Sequence, residues 1–182
     1  MPFDVSAFKV LIKKIFPPKK SVYTVDIDKD NIADAILIRA VNVVFPLQIP
    51  TEFKIESFDQ EELKNELDHG KIAIDNYIRF YLDGEKLLSS DESIDTEKIQ
   101  QKFELYLKNK QYSFRDIIDG NLAGEVIGLG DEIFMLIHVS QETLDKLNEG
   151  PHEILIESEM ISSLIIDFEI TEENLNRSFP FK

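Results

Sequence analysis

Residues 33–45, ADAILIRAVNVVF, constrain the fold more than any other segment. β-Branched and apolar side chains fill most positions, as in a strand buried on both faces. Such a strand belongs inside a layered β structure, and its neighbours carry strand signals too. Tyr23, Val25 and Ile27 alternate onto one face ahead of it. Pro46 and Pro50 bracket a break after it, and Phe53 and Ile55 alternate again within 51–58. Residues 72–82 (IAIDNYIRFYL) read as one or two strands, turned by Asp83-Gly84 into Lys86-Leu87-Leu88. Residues 133–139 (IFMLIHV), HEILIES (152–158) and LIIDFEI (164–170) complete the set.

Helical spacing is rarer. In residues 3–16, Phe8, Leu11, Ile12 and Ile15 recur at helical intervals with Lys9 and Lys13 beside them, and Pro17-Pro18 ends the segment. Residues 96–109 place Ile99, Phe103, Tyr106 and Leu107 on one face, which predicts a helix capped by Asp95 or Thr96. Ser140 caps a third segment, QETLDKLNE, which stops at Gly150-Pro151. The charged stretch 59–68 (DQEELKNELD) predicts a helical turn or a solvated loop, and SSDES (89–93) a polar loop.

Charge narrows the partners. The chain carries a net −15. Its first twenty residues hold five lysines and one aspartate, a net of +4, while the remaining 162 hold 15 basic and 34 acidic residues, a net of −19. A phosphate backbone is repelled by such a surface, so nucleic acid is not an expected partner. Cationic ligands, divalent metals and basic protein surfaces are compatible with it. Cysteine is absent, which removes disulfides, thiolate metal sites and a thiol nucleophile. Lys13 and Lys14 interrupt the short apolar run Val10-Leu11-Ile12, so no secretory signal is expected, in keeping with a cytoplasmic or virion location. No stretch has the length of uncharged apolar sequence that spans a bilayer.

The densest local pattern is Asp26-Ile-Asp28-Lys-Asp30-Asn31-Ile32-Ala-Asp34. Acidic side chains at alternate positions, with the Ile32 carbonyl between the last two, can converge on a hard cation when a loop wraps it. Asn31 stands where a sharp turn needs a left-handed residue. The run VDIDKDNIADAILI resembles the Asp loops of FG-GAP repeats and, less closely, EF-hand loops; the resemblance implies calcium held by Asp26, Asp28, Asp30, Ile32 and Asp34. Leu37 stands where an EF-hand has its bidentate Glu, and Asn31 where both families favour Gly. An exposed hairpin turn is the competing reading, since Asp and Asn are ordinary turn residues.

The stretch VSQETLDKLNEGPHEILIES…LIIDFEI is similar to the closing segment of immunoglobulin-like modules on bacterial surface and cellulosomal proteins. Leu144, Leu147, Gly150, His152, Ile154, Ile156, Phe168 and Ile170 carry that likeness. It implies a β-sandwich whose end is plugged by the two leucines, and a spacer or binding role. Leu144, Leu147, Ile154, Ile156 and Phe168 are expected to be buried together.

Other chemistry is absent from the pattern. Gly128-x-Gly130 opens no helix and no Lys-Ser/Thr follows, so neither a dinucleotide fold nor a P-loop is indicated. His69, His138 and His152 are scattered, and structural roles are expected for them. The expected fold is α+β, mainly β: an immunoglobulin-like sandwich with one or two short helices. Its expected parts are a basic amphipathic segment (1–20), an N-terminal β region (21–88), a helical linker (89–119), an immunoglobulin-like region (120–172) and a tail (173–182). The expected role is non-catalytic: a structural component of a viral particle or cell-surface complex, acting through protein partners or self-assembly. Phe8, Lys9, Leu11, Lys13 and Ile15, with Phe179 and Phe181 flanking Pro180, are the expected contacts. The alternatives are a free calcium- or carbohydrate-binding module and, third, an enzyme with a carboxylate site.

Overall fold

The computed structural model describes residues 5–50, 78–87, 103–158 and 162–180. Helix α1 spans Val5–Ile15. Strands β1 (Val22–Asp26), β2 (Ala35–Val41), β3 (Leu47–Gln48), β4 (Ile78–Leu82) and β5 (Glu85–Lys86) follow. Next come β6 (Phe103–Leu107), β7 (Lys110–Ser113), helix α2 (Phe114–Ile118), β8 (Val126–Ile127) and β9 (Glu132–His138). Helix α3 (Gln141–Lys146), β10 (Gly150–Ser158), β11 (Ser162–Ile170) and β12 (Arg177–Ser178) complete the described chain. The fold is α+β and mainly β.

The first sheet has the order β12-β1-β2-β9-β6-β7, antiparallel except for the parallel β12–β1 pair. The second is an antiparallel β11-β10-β4-β5. A ribbon of β3 and β8 stands apart. Alternation along each strand sorts side chains between layers. Val22, Ile36, Ile38, Phe103 and Ile137 of the first sheet meet Phe80, Leu82, Ile154, Ile156, Ile166, Phe168 and Ile170 of the second in one core. Leu144 and Leu147, at α3, close that core, so the five residues expected to be buried together are. Ser140 caps α3 as its sequence predicts, its hydroxyl accepting from the Thr143 amide.

Residues 35–38 of the run at 33–45 are apolar on both faces because both are covered. Ile36 and Ile38 enter the shared core, while Ala35 and Leu37 join Tyr23, Val25, Tyr106 and Leu136 in a second cluster on the opposite face. The strand ends at Val41 rather than Phe45. Asn42 ends it: its side-chain amide donates to the carbonyls of Phe45 (2.8 Å), Ile127 (3.0 Å) and Gly128 (3.1 Å), turning the chain toward β3.

Two expectations are corrected. Residues 103–107 are strand, not helix. In FELYLK the apolar positions satisfy both periods, and Phe103, Leu105 and Leu107 face inward as a strand requires. Lys108 and Asn109, at φ 51° and 64°, form the left-handed two-residue turn that pairs β6 with β7. Of the expected helical linker 89–119, the described part is thus a hairpin followed by the short α2. Nor is 120–172 a module of its own: β9 lies between β2 and β6, and β10 between β11 and β4. Each sheet is completed by strands from the other half of the chain. Asp83-Gly84 forms the expected hairpin turn, with φ 49° and 83°. The expected elements at 51–58, 59–68, 72–77, 89–93 and 96–102, together with His69 and Phe181, lie outside the described residues, as does the Phe8 side chain.

Candidate functional site

The Asp-rich run is the loop from β1 to β2, closed at its base by the Asp34 amide donating to the Val25 carbonyl at 2.8 Å. The tail braces the same base: the Phe179 amide donates to the Asp26 carbonyl at 3.1 Å. Asn31 is left-handed as expected, with φ 70°, and Lys29 is too, with φ 68°.

Oxygens of Asp26, Asp28 and Asp34 lie within 4.8 Å of one another, so these three carboxylates could hold a metal ion. Asp30 stands outside the group and accepts from the Ile32 amide at 2.8 Å. The Ile32 side chain is exposed. Loop amides already satisfy much of this charge. The six successive N–H groups from Ile27 to Ile32 each donate to an aspartate: Ile27 and Asp28 to Asp34, Lys29 and Asn31 to Asp26, Asp30 to Asp28, and Ile32 to Asp30. The carboxylates therefore shape the loop in their own right. At Asp28 the bond from the Asp30 amide pulls the carboxyl down. Desolvation and the charges of Asp30, Asp34 and Asp26 together outweigh it, leaving Asp28 above its ordinary value.

The expected contact residues are placed differently from one another. Helix α1 lies against β11 and β2. Leu11 and Ile15 are half-buried, and Phe16 just beyond them packs on the shared core. Lys9, Val10, Lys13 and Lys14 are exposed. Phe179 folds back on its own molecule, against the outer cluster of the first sheet, its ring 5.4 Å from that of Tyr106. His152 is structural: Nδ1 lies 2.7 Å from Asp83 Oδ2, Nε2 lies 2.9 Å from the Asn148 carbonyl, and the ring stacks on Phe168.

Sequence reasoning missed a group of exposed apolar residues. Val44, Phe45 and Leu47, with Val126 and Leu129, are between 42% and 65% exposed. They sit on or beside the β3–β8 ribbon and the Gly128–Gly130 loop, which Asn42 ties together through its side-chain bonds and by accepting from the Gly130 amide at 2.7 Å. Val44 and Phe45 read as strand interior because they continue an apolar run. The usable signals were Asn42 within that run and Leu129 between two glycines. No helix among the described residues is long and apolar enough to cross a membrane. No family model and no curated protein matches the chain.

Proposed function

We propose that this protein is a non-catalytic component of a larger assembly in which copies join head to tail. The basic α1 of one copy docks on the apolar surface beside β3 and β8 of the next. The observation that carries this reading is the exposure of Val44, Phe45 and Leu129 beside the loop that Asn42 ties to Phe45, Ile127 and Gly128. Exposed apolar groups gathered near one ribbon mark interaction sites. The choice of a second copy rests on charge. A body of net −19 repels its own kind, and the first twenty residues, net +4, are the chain's own means of offsetting that repulsion. Exposed Lys9, Lys13 and Lys14 around Val10 give α1 both the charge and an apolar contact.

The test is mass in solution by light scattering. The wild type should exceed its 21.0 kDa chain mass. Charge reversal at Lys9, Lys13 and Lys14 should return it to the monomer, as should Phe45→Glu with Leu129→Glu, each without change in circular dichroism. Because the contact is heterologous, the two variants mixed should form a heterodimer and stop there. A wild type that stays at 21.0 kDa, or variants that associate as before, would sink this reading.

Calcium binding by Asp26, Asp28 and Asp34 is the second reading, favoured by the approach of the three carboxylates. Asp28→Asn tests it, because the amide keeps an oxygen for the Asp30 N–H and removes only charge. A carboxyl whose folded value is raised binds its proton more tightly folded than unfolded. Charging it therefore costs stability as pH climbs from the unfolded value through the folded one. Without metal, Asp28→Asn should melt higher than the wild type at neutral pH, and the gap should close in acid. With millimolar calcium the wild type should gain in Tm and the variant should not. A wild-type melt indifferent to calcium leaves the loop as a turn built by its own amides.

A further inference from the structure

The outer face of the first sheet carries a cleft of about 530 Å³ where the tail runs beside β1. Its apolar lining comes from Val25, Leu37, Phe134 and Pro180, and its polar groups are Tyr23, Ser178, Arg177 and the Arg39–Glu132 pair, in which the Glu132 charge is neutralised. The chain has four arginines, and two of them line this one cleft. Their situations differ. Arg39 is committed to Glu132 through Nε and Nη2 and to the Lys20 carbonyl through Nη1. Arg177 makes no ion pair with any described carboxylate. Its guanidinium lies over the Tyr23 ring, 5.0 Å from the centroid. The pairing of β12 with β1, in which Val25 faces Arg177, fixes its backbone. The field of both arginines reaches the Tyr23 phenol: burial pushes that group up, and the Arg39 and Arg177 charges oppose the rise.

We infer that this cleft binds a small organic acid, a carboxylate on an apolar or aromatic body, with Arg177 taking the carboxylate. The volume suits a small ligand, and a lining shared about equally between apolar and polar side chains suits one with an apolar body and a polar head. A guanidinium offers a carboxylate two parallel N–H bonds, and a cation already stacked on a ring loses little freedom in making them. The walls favour an apolar body over a bare anion. Polyphosphates fit poorly, since one uncommitted guanidinium is too little charge for them and the rest of the protein repels them.

The probe is 2-naphthoate, compared by titration calorimetry with its neutral isostere naphthalene-2-carboxamide and with inorganic phosphate. Naphthoate should bind saturably and at least about tenfold more tightly than either, since a charge-assisted pair is worth about that factor or more. Arg177→Ala should remove the tenfold preference and leave the carboxamide unchanged. This side chain is exposed and makes no hydrogen bond with any described residue, and an unshifted melt will verify that the fold does not need it. The comparison of the three probes on the wild type stands whatever the variant does. Absence of naphthoate binding, equal affinity for naphthoate and carboxamide, phosphate binding as tightly as naphthoate, or naphthoate binding unaltered in Arg177→Ala would each overturn the proposal.

Discussion

Replacing Phe168 with alanine should lower the unfolding free energy by about 3–5 kcal/mol, the range for a buried phenylalanine. The side chain is 2% exposed and sits where both sheets and α3 contribute to one core. One face of its ring is taken by the His152 imidazole, at 5.5 Å between centroids. His152 is held by Asp83 and by the Asn148 carbonyl, so it cannot swing in to fill the space. A cavity whose lining cannot collapse keeps its full cost. Against a typical total of about 5–15 kcal/mol, that loss takes the protein close to unfolding at ambient temperature. Ile165 is the matched control. It lies on the same strand but points outward and is 50% exposed, so Ile165→Ala should stay within about 0.5 kcal/mol. Urea unfolding measures both. Similar losses for the two variants would mean that the second sheet does not pack by the alternation described.

That alternation was legible from the sequence. HEILIES and LIIDFEI state their inward faces residue by residue, and Asp83-Gly84 announces its turn, because in each case a short-range pattern decides the structure. The doubled apolar character of residues 35–38 likewise required cover on both faces, and the fold provides it. Ambiguity began where one pattern served two periods. In FELYL the helical and strand readings fit the same apolar residues, and only the Lys108-Asn109 turn separates them. Pairing between distant strands was not legible. Nothing local in IFMLIHV says that it lies between residues 35–41 and 103–107, because the pairing depends on surfaces brought together by the whole chain.

The Asp loop shows a different limit. Its aspartate spacing fits a cation loop and an ordinary hairpin turn alike. The aspartate oxygens accept from six loop amides, and no spacing rule distinguishes a carboxylate aimed at a metal from one aimed at a peptide N–H. Residue type located the feature and its left-handed Asn31. The choice of partner for each oxygen depends on backbone geometry that the sequence does not print.

The tail gives the second large effect. Read alone, NRSFPFK offers two phenylalanines that either fold back on the body or dock into a neighbouring subunit. In the fold its described residues, 176–180, lie against the body. Arg177 and Ser178 extend the first sheet beside β1, the Asn176 amide donates to the Thr24 hydroxyl at 2.9 Å, and Phe179 covers Tyr106. The N-terminal segment is likewise engaged, through Phe16 in the core and the Pro18 carbonyl accepting from the Glu169 amide at 2.8 Å. Deleting residues 176–182 alone should therefore cost about 2 kcal/mol, the scale of uncovering one large apolar side chain and what it shields. It should also strip cover from Tyr23, Val25 and Tyr106 and leave β1 as an open edge, so association should increase. Thermal melting by circular dichroism, paired with light scattering, reads both effects. A truncated protein that melts with the wild type and keeps its mass would show that Phe179 rests on the sheet without stabilising it. A truncated protein that melts with the wild type but dissociates would return the tail to the role of an intermolecular contact.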